Sequence, residues 1–262
     1  MKDNQLKYRF YATLLDSFQN YLKSDEIYSM YWGGNENPPF TFEEFEKKQY
    51  QNLIDRINRV PMNWEDSEKA DKGTAFNEIV DCIIDKRKSD KMQIESDKET
   101  GIIKAQYNER EFVFPISLCR EFADYYKGAT TQILTEAVLP THYGNVLLYG
   151  YIDELMPKSI HDIKTTGMYS AGKFKDHFQH YVYPYCLRLN GNDVSDFEYN
   201  VAVIKETKKA INYETFTEFY SFVPERDIPI LTAFVEQLIE FIEANKHLIT
   251  DKKIFNKHLE NA

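Results

Sequence analysis

The chemistry of this chain gathers at Gly150-Tyr151-Ile152-Asp153 and, nine positions beyond that acid, at Asp162-Ile163-Lys164-Thr165. Two carboxylates and a lysine stand there on consecutive runs of strand character. Carboxylates held within a few ångströms repel each other, and a divalent cation bound through their oxygens removes that cost. Such a cation polarises a phosphoryl oxygen and helps to ionise a water. A neighbouring lysine orients or activates that water, or neutralises charge developing on the phosphate. The set has the composition of a hydrolytic site for a phosphodiester. Mg²⁺ or Mn²⁺ would sit on Asp153 and Asp162, with the Ile163 carbonyl as a further ligand and Lys164 as the cationic group. The competing reading is a solvated hairpin edge, where acid-x-lysine triplets are common. The apolar packing around both acids favours the functional one, because an unpaired charge set into a strand is costly.

The elements that must position these groups begin with a hairpin. Tyr149 to Leu155 is apolar around a single acid, Ser159 to Thr165 has Ile160 and Ile163 bracketing His161 and Asp162, and Pro157-Lys158 supplies the turn. Alternate residues share a sheet face, so Lys164 is aimed to the same side as Asp162. A strand at Thr131 to Leu139 precedes the hairpin. A helix from about Lys173 to Leu189 follows it, then strands at Phe197 to Val203 and Thr215 to Phe222, and a final helix opened by Pro224-Glu225-Arg226-Asp227.

Upstream, Phe10, Leu14, Phe18, Tyr21 and Leu22 give helical spacing over Leu6 to Leu22. Thr41 before Glu43-Glu44-Phe45-Glu46 reads as the N-cap of a helix toward Ile57. The polar stretch Asn63 to Lys72 reads as a surface loop, with the next helix starting at Gly73-Thr74. Alternation from Met92 to Ile116 suggests a hairpin insertion, and Ser117 to Tyr126 a helix. The expected whole is a single α/β domain over 1–262: a helical N-terminal lobe over 1–70, and over 71–262 an α/β core with a C-terminal helix.

Two helical clusters could support the hairpin. Gln179 and Tyr183 are one turn apart, so an amide and a phenol share a face that could brace the carboxylates or bind a phosphate. In Gly73-Thr74-Ala75-Phe76-Asn77-Glu78-Ile79-Val80-Asp81, Asn77 and Asp81 share a face, with Glu78 beside them, and could complete a metal shell. Taken alone, each reads more simply as helix surface or packing. The aromatic run Tyr28 to Trp32 could stack on bases, although packing of the lobe is the simpler reading.

Composition narrows the classes. Forty-two acidic against thirty-two basic residues leave a net charge of −10, which argues against a general basic coat for nucleic acid but not against a local groove. Cations do collect after the motif: Lys158, Lys164, Lys173, Lys175, His177 and His180. Cys82, Cys119 and Cys186 are an odd, widely spaced set without a CxxC pair, so no zinc or iron–sulfur site is expected. No run suits a bilayer span. Met1-Lys2-Asp3-Asn4-Gln5 is polar, unlike a signal peptide, which suggests a cytoplasmic protein without membrane contact.

The order G-T-x-x-N at a helix start, G-x-I-D, I-x-D-I-K-T and Q-x-x-x-Y resembles the RecB-like, phage-type exonuclease branch of the PD-(D/E)XK nuclease superfamily. Ala12-Thr13-Leu14-Leu15-Asp16-Ser17-Phe18 also resembles the short N-terminal helix motif of that branch. The resemblance implies a restriction-endonuclease-like core, a central mixed sheet flanked by helices. It implies a Mg²⁺- or Mn²⁺-dependent DNA nuclease of recombination or repair, with linear DNA as substrate and a homo-oligomer or recombination protein as partner. Asp153 and Asp162 would hold the metal, Lys164 would be the catalytic lysine, and Gln179, Tyr183, Thr165 and Lys173 would support the site or the DNA. Asn77 falls where many relatives carry a metal-binding His. Its amide oxygen is a weaker donor, for which Glu78, or Glu136 on the strand before the hairpin, could compensate. The iron–sulfur cluster of some relatives needs four cysteines, and none is expected here.

Overall fold

Period-two and helical patterning divide the chain, in order, into β1 (Leu6–Tyr11), α1 (Ala12–Leu22), α2 (Ser24–Trp32), α3 (Phe42–Ile57), α4 (Trp64–Ile84), β2 (Gln93–Asp97), β3 (Ile102–Tyr107), β4 (Arg110–Pro115), α5 (Ile116–Tyr125), β5 (Thr130–Thr141), β6 (Gly144–Leu155), β7 (Ser159–Thr166), α6 (Gln179–Leu189), β8 (Asp196–Glu206), β9 (Ile211–Ser221) and α7 (Pro224–Ala244). The structure is a computed structural model that describes residues 6–207 and 210–256. The opening pentapeptide lies outside the described residues.

The main sheet is mixed and runs β1-β6-β7-β8-β9, with β5 also paired to β6. β1 runs parallel to β6 and β7 parallel to β8, while β5–β6, β6–β7 and β8–β9 are antiparallel. Both faces are covered by apolar packing, so the interior strand β8 is buried along most of its length. Its Phe197, Tyr199, Val201 and Val203 join α1, α6 and α7 in one core; Ala202 and Ile204 join α4, α5 and the small β2-β3-β4 sheet in the other. The protein is thus a mixed α/β fold with a central mixed sheet flanked by helices.

Three local expectations are corrected. The helix expected from Leu6 begins only at Ala12, because Tyr8 and Phe10 alternate with less buried neighbours and β1 completes the sheet beside β6. The expected loop at Asn63 to Lys72 is the first half of α4, capped by the Asn63 side chain on Asp66 N–H at 2.8 Å. Its polarity is that of a solvated helix held by tertiary bonds: Arg110 binds Asp71 and the Trp64 carbonyl and stacks over the Trp64 ring, and Asn108 binds Asp71. Gly73 therefore lies within a helix and does not open one.

The expected 1–70 lobe dissolves for the same reasons. β1 and α1 belong to the main sheet and its core, and the boundary falls inside α4. The helix expected from about Lys173 begins only at Gln179, after a run of turns with Phe178 as its N-cap. Other expected elements are present. Thr41 and Glu44 form a reciprocal capping box at α3, the insertion is the β2-β3-β4 sheet, and the hairpin is β6–β7. The Tyr28 and Trp32 rings pack on Phe45 and its neighbours.

Candidate active site

A break in pairing along one edge of β6 creates the site. β1 pairs with that strand as far as Tyr11–Tyr149, and β7 only over Glu154–His161 and Leu155–Ile160. Among the described residues, Gly150 to Asp153 therefore has β5 on one side and no ladder on the other. One register step beyond Glu154–His161 sets Asp153 opposite Asp162. In place of a ladder bond, Asp153 Oδ2 accepts the Ile163 N–H at 2.8 Å. A strand residue's N–H and C=O leave on the same side, so the Ile163 carbonyl lies along the same opening.

Asp162, Lys164 and Gln179 close a ring of contacts. Lys164 Nζ is 2.6 Å from Asp162 Oδ2 and donates to Gln179 Oε1 at 2.8 Å, while Gln179 Nε2 donates to Asp162 Oδ1. The same Nε2 reaches the Tyr183 hydroxyl at 3.3 Å. Gly150 is required beneath this group, because a Cβ there would stand 2.5 Å from Tyr183 Cε1. The glycine lets the phenol lie against β6, and so links the hairpin to the Gln179–Tyr183 face of α6.

Charge is arranged unevenly. Burial, reinforced by the charge of Asp162, pushes the Asp153 carboxyl up, against the pull of the Ile163 N–H and Lys164. Burial opposes the Lys164 charge, but Asp162, Asp153 and Asp16 outweigh it and raise the lysine above its ordinary value. Lys164 is therefore an ammonium at neutral pH and no proton acceptor. Tyr183 is held well above the usual phenol range by burial and the Asp162 charge, and remains neutral.

The remaining expected residues divide. Asn77 lies one turn past Gly73, where an added Cβ would stand 3.5 Å from Thr165 Oγ1, and Asn77 Oδ1 is enclosed without a donor. Glu78 is removed from the metal set. Arg87 Nη1 holds its Oε1 at 2.6 Å and Lys91 its Oε2 at 3.1 Å, and against the cost of burial these partners depress its carboxyl to about 2. Glu136 is exposed and in register with Tyr149, four positions along β6 from Asp153, so it offers no compensation for Asn77. Lys173 is exposed at the end of β7, where its Nζ donates to Thr166 Oγ1 at 3.0 Å and the Met168 carbonyl at 2.8 Å.

Three further acids lie near the site: Asp16 within the N-terminal helix motif, Asp81 from the α4 cluster expected to complete a metal shell, and Glu154, which no motif includes. Asp16 on α1 lies buried beside the start of α6 and within the fields of Lys164 and Asp162. The signal for it was present, an acid on the apolar face of Leu14-Leu15-Asp16-Ser17-Phe18. Asp81 and Glu154 form a carboxyl pair toward α4, and no N–H or hydroxyl donor reaches either Glu154 oxygen or Asp81 Oδ1. Burial and then the neighbouring Asp81 raise Glu154, and burial raises Asp81, so the pair favours its protonated form.

The donor set suits a hard cation. Asp162 Oδ2 is buried without an aligned hydrogen-bond donor despite the nearby ammonium, and it opposes Asp153 and the Ile163 carbonyl. Among the described residues no three His, Cys, Asp or Glu side chains converge as a metal-holding group, so the fit rests on two carboxylates and main-chain or amide oxygens. The three cysteines are free. No described helix is long and apolar enough to cross a membrane.

No family model and no curated protein sequence matches the chain. One solved structure, described as "Crystal structure of SSO0001", is similar at a TM-score of 0.39 and 10% identity, over 90% of this chain and 78% of that one. A likeness of that degree carries no argument about function.

Proposed function

We propose that this protein is a Mg²⁺- or Mn²⁺-dependent deoxyribonuclease, an exonuclease of the phage-recombination or DNA-repair kind acting in the cytoplasm. The observation that carries the reading is the opposition of Asp153 and Asp162 across an opened strand edge, with Lys164 held against Asp162 by Gln179. The cation, when bound, would supply Lewis acidity to a phosphoryl oxygen and lower the pKa of a water. In the reaction, water oxygen bonds to phosphorus as the bond to the leaving sugar oxygen breaks; the water gives its proton to solvent and the leaving oxygen takes one up from solvent. Asp153 and Asp162 orient the oxygens around the phosphate. The Lys164 ammonium sits where negative charge grows on the phosphate, and Gln179 keeps it there. Tyr183 and Gly150 hold Gln179 in place. Phosphate contacts suffice for such cutting, since no base needs to be read. Lys173 and Thr165 lie at the end of β7, where a strand would enter.

The test is degradation of linear and closed circular DNA with Mg²⁺ or Mn²⁺ by the wild type, Asp162→Ala and Lys164→Ala. Loss of linear DNA with the wild type alone is expected. The closed ring of Asp162, Lys164 and Gln179 also suits a second reading, a non-catalytic nucleic-acid-binding module in which the ring is a structural lock. Binding of DNA without cleavage by wild type and variants would select that reading.

A further inference from the structure

We infer that Asp16 is a positioning residue of this site, fastening the start of α6 from α1 so that Gln179 is presented to Asp162 and Lys164. The inference rests on the nuclease reading only for its effect on rate. Asp16 is 9% exposed, between Leu15 and Phe18 on a helix face that is otherwise core. A carboxylate there is costly unless its oxygens are used. Its Oδ1 accepts the Phe178 N–H at 2.6 Å.

Phe178 is the N-cap of α6 and no side chain of its own neighbourhood caps that helix, so Asp16 supplies the acceptor from a distant part of the chain. Gln179 is the next residue. The bond thus sets the first turn from which Gln179 bridges Lys164 Nζ and Asp162 Oδ1. The second oxygen, Oδ2, stands 3.4 Å from His177 Nδ1, which has no aligned partner. Burial raises the Asp16 carboxyl to about 7, while the Phe178 N–H and the Lys164 ammonium favour its charged form. The hydrogen bond leads through Phe178 to the pair that the proposed chemistry uses, and the contacts of Asp16 are with Phe178 and His177 and not with Asp153 or Asp162 themselves.

Two substitutions separate these contributions. Asp16→Asn keeps an acceptor for Phe178 N–H and removes the charge; Asp16→Ala removes both. Amide hydrogen exchange at Phe178 and steady-state cleavage of linear DNA with Mn²⁺ are measured on the full chain. For Asp16→Asn, Phe178 exchange should stay as in the wild type while kcat falls about tenfold and KM holds within about threefold. For Asp16→Ala, Phe178 should exchange at least about tenfold faster and kcat should fall about a hundredfold. Unchanged Phe178 exchange in Asp16→Ala, or a change in KM alone, would overturn the inference. A wild type that does not cut DNA would overturn the nuclease reading instead, and the exchange result would still decide whether Asp16 fastens α6.

Discussion

Replacing Glu154 by Gln should make the protein more stable above neutral pH and flatten its loss of stability with rising pH. Glu154 is 0% exposed, neither of its oxygens meets a donor, and the Asp81 carboxyl beside it is 1% exposed. Burial first, then Asp81, raises the Glu154 pKa in the folded protein. A raised group contributes stability that is complete below its unfolded pKa and is lost as pH rises toward its folded one. Between those limits the folded chain keeps a proton that the unfolded chain has released, which costs about 1.4 kcal/mol per pH unit. From pH 5 to pH 7 that amounts to about 2.7 kcal/mol, an upper figure because the proton is shared with Asp81. Gln has nearly the same shape and its amide donates to Asp81 without taking up a proton. Urea denaturation at pH 5, 6, 7 and 8 should show Glu154→Gln ahead of the wild type by about 2 kcal/mol at pH 8, with a smaller difference at pH 5. Equal pH slopes, or a less stable variant at pH 8, would refute the assignment of a protonated carboxyl pair.

Other outcomes follow from single contacts. Gly150→Ala should cost about 1–3 kcal/mol in urea denaturation, because the new methyl displaces the Tyr183 ring; a neutral result would mean that the ring is not pinned there. His180 is buried and stacked on Tyr220, and burial depresses it to about 3, so its share of stability is present above about pH 6.5 and is lost as pH falls toward 3. His180→Phe should flatten that acid limb by up to about 1.4 kcal/mol per pH unit, read as urea midpoints from pH 4 to 7. Thr41→Ala, which opens the capping box with Glu44, should cost about 1 kcal/mol by the same assay and leave DNA cleavage unchanged.

The polar first half of α4 shows why part of the fold was hidden. Residues 63–72 have no apolar stripe, and their helix depends on Arg110 and Asn108, which arrive from β4 and the turn before it. No local window contains those partners. β1 was hidden differently: Phe10 fits the helical spacing of Leu14 and Phe18 as well as it fits the alternation with Tyr8. Only the free edge of β6 decides between them. Glu78 and Asp81 are close on one helix, yet Arg87 and Lys91 draw the first away while Glu154 pairs with the second.

What the sequence by itself determined was the local chemistry. The two acids, the lysine two residues after the second, the hairpin that opposes them, and the one-turn spacing of Gln179 and Tyr183 follow from periods of two and about 3.6 residues that each element carries within itself. The tertiary structure alone decided how those elements meet. It released β6 from β7 at Asp153, seated the Tyr183 ring over Gly150, turned Gln179 into a bridge between Asp162 and Lys164, and brought Asp16 to the start of α6. These contacts join residues far apart in the chain. They form only when burial of the shared cores has already ordered both partners, so no local pattern specifies them.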